Sequence, residues 1–265
     1  YRNLNQELTP LGAMLGMIDR FDLLVGAFGI GLEPTGSQDP FALRRAGGAF
    51  VKLVRAFGFH FSLREMIEAS LHLYGDSIHS PKNEIMNRLL AFLQDRVVFE
   101  LRVTPGTKSY EILQAIFRSN FDDLADIFKR FEVLNQMYED DKKVLLKAAK
   151  VVERTANILK GAKGKVGDEV REDLFQDPLE RDIYRLLAER SGDIHQALER
   201  RDYEKATRLF GQTFYDPLHA FFDKVLVNVE DAAVRANRKA LMKKIYSLYG
   251  SQLADLSLLS RIDQE

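Results

Sequence analysis

The 265-residue chain has no cysteine, which excludes disulfides, thiolate zinc sites and cysteine nucleophiles together. No apolar run approaches the roughly 18 to 20 residues that span a bilayer, and Tyr1 opens no charged-then-apolar leader pattern, so an intracellular or trimmed protein is expected. Proline and glycine are sparse, at seven and seventeen, and neither a long-period repeat nor a low-complexity tract is present, so a folded, non-repetitive protein is expected. A net charge of −1 lacks the basic excess of proteins that coat nucleic acid, so any RNA site must be a local patch. What is plentiful is apolar residue, at 46%, enough for a real core in one large or two ordinary domains.

The sparse prolines punctuate helices. Five of the seven follow a helix-starting residue, in Thr9-Pro10, Asp39-Pro40, Ser80-Pro81, Asp177-Pro178 and Asp216-Pro217, and Asp177 with Glu180 fits a capping box. Period-2 alternation is nearly absent, and the β-branched run from Val97 to Val103 reads as the end of a helix that begins at Ser80, so the fold class is all-α, a helical bundle of two packed parts. Helices are expected over Leu11–Phe28, Phe61–Gly75, Ser80–Arg102, Ser109–Arg118, Phe121–Tyr138, Glu139–Lys160, Asp177–Ala188, Asp193–Arg200 and Tyr203–Thr213, then a pair over Asp216–Leu226 and Glu230–Tyr249. The first of these is mostly apolar and should be buried on most sides. Gly161 to Asp168 reads as a small, basic linker.

Two glycine patterns between Gly29 and Asp39 lack what a nucleotide site needs. The Gly31–Ser37 spacing has no phosphate-reaching lysine, and Gly29 and Gly31 have neither a third glycine nor a preceding strand, so an ordinary interhelical turn is expected. His60, His72 and His79 lack the one-turn spacing of a metal pair and read as surface or capping residues. More informative is the helix ending at Lys160: Leu145, Ala148, Ala149, Val152, Ala156 and Leu159 make a buried stripe, while Lys143, Lys147, Lys150, Arg154 and Asn157 recur every three or four residues on another. That row is either a solvated face or one that tracks phosphates. In the last helix pair, Leu218, Phe221, Phe222, Val225 and Leu226 form one apolar face. Ala233, Ala236, Ala240, Leu241, Ile245 and Leu248 turn inward, and Arg235, Arg238, Lys239, Lys243 and Lys244 lie outside.

Met17-Ile-Asp19-Arg-Phe-Asp22-Leu-Leu-Val-Gly26 and Phe28-Gly-Ile-Gly-Leu-Glu-Pro-Thr-Gly-Ser-Gln-Asp-Pro-Phe-Ala-Leu-Arg-Arg45 are similar to a stretch of the bacterial glycyl-tRNA synthetase beta subunit, near the end of a helical domain related to His-Asp (HD) phosphohydrolases. Arg154-Thr-Ala-Asn157-Ile-Leu159, Phe221-Phe-Asp-Lys-Val-Leu-Val227 and Arg235-Ala-Asn-Arg238 resemble its DALR-type anticodon-binding domain, although Glu153 stands where a base is usual and Lys239 where leucine is common. The resemblance implies a carboxy-terminal part of that subunit: residues 1–80 in a degenerate HD-like domain, 81–139 in connecting helices and 140–265 in the anticodon-binding bundle. It also implies a cytoplasmic glycine-tRNA ligase that attaches glycine to tRNA with ATP, a chain that is itself non-catalytic and binds no cofactor or metal, and ATP and Mg used in the alpha subunit. Partners would be glycine tRNA and the alpha subunit in an α2β2 assembly, with no membrane and no DNA.

Glycine anticodons carry cytosine at their second and third positions, and a splayed cytosine offers an N4 donor and N3 and O2 acceptors. The resemblance therefore makes Asp223, Lys224, Glu230, Asp231, Arg235 and Arg238 candidate base readers, and Lys147, Lys150, Arg154, Asn157 and Lys160 candidate holders of the tRNA backbone. Phe222 is a candidate stacking platform, whereas Phe221 reads as core. Two competing readings are a non-catalytic scaffold that docks the alpha subunit without reading the anticodon, and a residual metal-dependent hydrolase, for which only Asp19 or Asp22 of the HD ligand set is present.

Overall fold

The computed structural model describes residues 8–78, 80–160 and 166–259. Among the described residues ten α-helices span α1 Pro10–Gly29, α2 Leu43–Phe57, α3 Leu63–Tyr74, α4 Lys82–Leu101, α5 Lys108–Ser119, α6 Leu124–Asp140, α7 Lys142–Lys160, α8 Pro178–Glu199, α9 Tyr203–Lys224 and α10 Ala232–Tyr249. Among the described residues there is no β-strand, only an isolated pairing of Thr35 with Gln38, and no helix is long and apolar enough to cross a membrane. The all-α expectation holds. The helix α2 is an addition to the sequence reading. His79 and residues 161–165 of the expected linker lie outside the described residues.

Helix starts follow the local chemistry. The Thr9 hydroxyl accepts from Gly12 N ahead of Pro10, and Asp177 and Glu180 complete the expected capping box ahead of α8. Two expected breaks are absent: Asp177–Ala188 and Asp193–Arg200 are one helix, as are Tyr203–Thr213 and the segment from Asp216. In α8 the buried positions Ile183, Leu187, Ile194 and Ala197 keep one helical phase across Ser191-Gly192. In α9 Phe210, Phe214, Leu218 and Phe221 are all buried on one stripe, and packing along it holds Pro217 inside the helix despite the missing N–H.

The chain forms two compact units. One runs to Pro105 and takes Phe121–Lys129; the other takes Gly106–Asn120 and everything from Arg130 onward. The stretch read as connecting helices is thus shared, α4 falling in the first unit and α5 in the second. In the first unit, α1 packs against α2, α3 and α4 over Phe21, Leu24, Phe28, Phe50 and Leu93, with the Phe21 and Phe50 rings 5.1 Å apart. Contrary to expectation, α1 keeps an apolar side in water: Leu11 is 66% exposed, Leu15 61% and Ile18 48%. An all-round apolar helix marks a surface to be covered, and the described residues cover only one side of it. The Gly29–Asp39 segment is a turn, stapled from α2 by Arg44, whose guanidinium donates to the carbonyls of Gly36 (2.8 Å) and Gln38 (3.2 Å). His60 pairs through Nδ1 with Asp123 at 2.8 Å, and His72 is exposed.

In the second unit α7 packs against α9 and α10, and α8 lies against α9 and α10. Its centre is aromatic: the Tyr249 ring stacks on Phe210 at 4.6 Å, and its hydroxyl meets Thr207 Oγ1 at 2.9 Å while burial pushes the phenol pKa up. α7 and α9 approach at Gly211, where a Cβ would stand 3.1 Å from Ala148 N and 3.3 Å from Val144 O. Because those atoms are backbone they cannot swing aside, so Gly211→Ala should cost about 1–3 kcal/mol, read as a lower urea midpoint at unchanged slope.

Candidate nucleic-acid interface

The outer side of the α7–α9 pair combines cations with aromatic rings. Leu145, Ala148, Val152, Thr155 and Ala156 turn α7 inward, and Lys147, Lys150 and Arg154 lie half-exposed on its other side, with Asn157 and Lys160 exposed beyond them. On α9, Tyr215, His219 and Phe222 share one face at spacings of four and three. The Tyr215 and His219 rings are nearly parallel, 16° apart in plane and 6.5 Å between centroids. Each end of this stripe carries a cation from α7: Lys147 Nζ lies 5.1 Å from the Tyr215 centroid, and the Arg154 guanidinium 5.8 Å from that of Phe222. Arg154 Nη1 is shielded from solvent and has no hydrogen-bond partner. Phe221 is fully buried, as expected, and its ring meets Phe222 edge-on at 5.3 Å.

The row of donors is not continuous. Lys150 Nζ is 2.7 Å from Glu153 Oε2, and Lys147 Nζ is 3.9 Å from Asp216 Oδ2. The Lys147–Asp216 pair is exposed and contributes roughly 0–1 kcal/mol, whereas Glu153 is largely shielded, at 13% side-chain exposure. Tyr215 and His219 escaped the sequence reading, although their spacing with Phe222 was visible; the apparent helix start at Asp216 hid it by placing Tyr215 in a different element.

The other candidate residues surround the loop from Val225 to Asp231. Asp223 and Lys224 are exposed at the end of α9, Asp223 Oδ2 lying 3.8 Å from His219 Nε2. Leu226, Asn228 and Glu230 are exposed, whereas Val225 and Val227 are buried. Asp231 caps α10, accepting from Ala233 N (2.8 Å) and Val234 N (3.1 Å). Arg235 Nη1 donates to the carbonyls of Val229 (2.6 Å) and Glu230 (3.1 Å).

Arg238 corrects the sequence reading. It is 4% exposed: Nε donates to Glu180 Oε1 (2.9 Å), Nη2 to Glu180 Oε2 (3.1 Å), and Nη1 to the Leu226 carbonyl (2.9 Å). No base reaches it there. The cause is the phase of α10, which buries Val234, Arg238, Leu241 and Ile245, with Asn237 beside Arg238, and turns Ala233 and Ala236 outward. Leu226, expected on the buried face, is 70% exposed because α9 ends at Lys224 and the chain continues extended, with φ −110° and ψ 115° at Val225. Glu180 is fully buried and accepts also from Gln176 N (2.8 Å) and Asp177 N (2.9 Å). Burial pushes its carboxyl pKa up, and the bonds from Arg238 and those two backbone groups outweigh it, so the pKa lies below the ordinary glutamate value. Among the described residues no cluster of three or more histidine, aspartate or glutamate side chains is suited to a metal.

Residues 4–118 match a family model described as glycyl-tRNA synthetase beta subunit, and residues 148–253 one described as DALR anticodon binding domain. The chain is 34% identical over 254 residues to the glycine–tRNA ligase beta subunit of Trichlorobacter lovleyi, covering 95% of this chain and 35% of the relative. To the proteins of the same name from Moorella thermoacetica and Desulforamulus reducens it is 34% and 32% identical over 251 residues, each covering 94% of this chain and 35% of the relative. It thus spans about a third of the length of these relatives.

Proposed function

We propose, from the premise that the chain belongs to the glycyl-tRNA synthetase beta subunit family and carries a DALR anticodon-binding domain, that its second unit binds the anticodon arm of glycine tRNA. The observation that carries this is the paired stripe of Lys147 with Tyr215 and Arg154 with Phe222, His219 lying between. Ring faces stack on unpaired bases of any sequence, and cations beside them hold the phosphates that connect those bases. Lys150, Asn157 and Lys160 extend the phosphate contacts along α7. Asp223 and Glu230 are exposed acceptors for cytosine N4, and Lys224 is an exposed donor. Arg235 and Asp231 shape the loop that presents them, and Arg238 acts only through that loop.

On this reading the chain does no chemistry of its own. It supports the ATP-dependent attachment of glycine to tRNA by a cytoplasmic α2β2 ligase whose alpha subunit uses ATP and Mg. The exposed apolar side of α1 favours a second role in contact with another protein, and the alpha subunit is the partner this family supplies. Filter binding of glycine tRNA across a salt series tests the proposal. Lys147→Ala and Arg154→Ala should each weaken all tRNAs alike and lower the salt slope by about one, and Phe222→Ala should lose about 1–3 kcal/mol of binding. If the chain binds no tRNA at moderate salt yet copurifies with the alpha subunit, the scaffold role stands in its place.

A further inference from the structure

The loop between α9 and α10 is built as a rigid mount for one exposed apolar side chain. Among the described residues of the second unit, Leu226 is the single large apolar side chain left exposed, at 70%. Its neighbours Val225 and Val227 are 6% and 3% exposed, so the extended chain pegs itself on both sides and turns Leu226 outward. Its own carbonyl is held at 2.9 Å by Arg238, a charge locked in place by buried Glu180. Arg235 holds the next two carbonyls that matter, those of Val229 and Glu230. A floppy surface leucine would need none of this support. A leucine that must meet a ligand in one place benefits from it, because the ordering entropy is lost on folding and not on binding.

We infer that Leu226 is an apolar wedge that packs on the face of an unstacked base in a single-stranded RNA loop, with Asn228 and Glu230 presented beside it to the base edge. Glu180, Arg238 and Arg235 are positioning residues that set the wedge and touch no RNA. This rests on the reading of the second unit as the tRNA-binding part. It adds a site that the basic row does not supply: an uncharged contact whose contribution is independent of salt.

The test uses the full chain, glycine tRNA with 2-aminopurine in the anticodon loop, and unlabelled tRNAs carrying cytosine-to-uracil changes in the anticodon. Leu226→Ala, on the surface, leaves the thermal unfolding midpoint unchanged. It should weaken cognate tRNA about tenfold, keep the parent's salt slope, lose the fluorescence change on binding and narrow the ratio between cognate and variant tRNAs. Arg238→Lys should narrow that ratio similarly although the side chain is buried, since one ammonium cannot hold both Glu180 and the Leu226 carbonyl. A Leu226→Ala protein matching the parent in affinity, discrimination and fluorescence overturns the wedge while tRNA binding stands. Affinity lost only for the alpha subunit would make Leu226 a protein contact and overturn it too. A parent chain that binds no glycine tRNA overturns both inferences.

Discussion

Arg238→Ala should lower the stability of the chain by about 3–5 kcal/mol. The substitution removes a guanidinium whose bonds reach both Glu180 oxygens and the Leu226 carbonyl, and leaves a fully buried carboxylate with only the two backbone N–H groups of the α8 start. Uncompensated buried charge, more than lost attraction, sets that magnitude. The pH dependence separates the two. In the parent, the folded pKa of Glu180 lies below its unfolded value, so its contribution is present above the unfolded carboxyl range and disappears as pH falls through the folded pKa. In Arg238→Ala burial dominates and the folded pKa rises, so the variant regains stability on acidification while the parent loses it. Urea unfolding at pH 7 and near pH 4 should therefore show the gap between the proteins shrinking in acid. A gap that stays constant would mean that Glu180 is not left as a buried anion. Glu180→Gln combined with Arg238→Ala should recover part of the loss, because no charge is then stranded.

Much of this arrangement could be read from the sequence, and the part that could not has specific causes. The caps at Thr9 and at Asp177 with Glu180 are local events, decided by side chains within a turn of the bonds they make, and they appear where the sequence puts them. Pro217 reads as a helix start for an equally local reason, yet the stripe through Phe214, Leu218 and Phe221 outweighs one missing donor, and the error concealed the stripe of Tyr215, His219 and Phe222. Arg238 belongs by phase to the buried stripe, four residues after Val234 and three before Leu241. Charge suggested solvent, and only a partner distant in sequence, Glu180, makes the buried position tolerable. No local pattern connects residues 58 apart. The cationic row on α7 is where the sequence puts it, but its pairing with rings on α9 depends on the close approach at Gly211.

Arg130→Ala should be comparably costly, by about 3 kcal/mol or more, for a different structural reason. Arg130 lies between the two stretches that match family models, residues 4–118 and 148–253, yet it belongs to the second unit and is 1% exposed there. Nη2 donates to the Asn120 carbonyl at 2.9 Å. Nη1 donates to the Leu253 carbonyl at 3.0 Å and to Ser119 Oγ at 3.2 Å. Ser119 Oγ lies within donating distance of the Ile116 carbonyl (2.7 Å) and of the same Leu253 carbonyl (3.0 Å), and Asp255 N donates to Ala115 O. These bonds fasten the segment from Gln252 onward to the end of α5, burying Leu253, Ala254, Leu256 and Leu259. Alanine removes the donors that Arg130 gives the Asn120 and Leu253 carbonyls and leaves the volume of the arginine stem empty. Lysine should rescue little, since a single ammonium cannot replace a fork that serves partners on both segments. Hydrogen exchange should show residues 252–259 opening well below the free energy of global unfolding in the variant, together with a lower urea midpoint. An Arg130→Ala protein within about 0.5 kcal/mol of the parent would mean that the Arg130 bonds are dispensable to the second unit. Otherwise the working boundary of the second unit includes α5 and Arg130, upstream of the stretch that the anticodon-domain family matches.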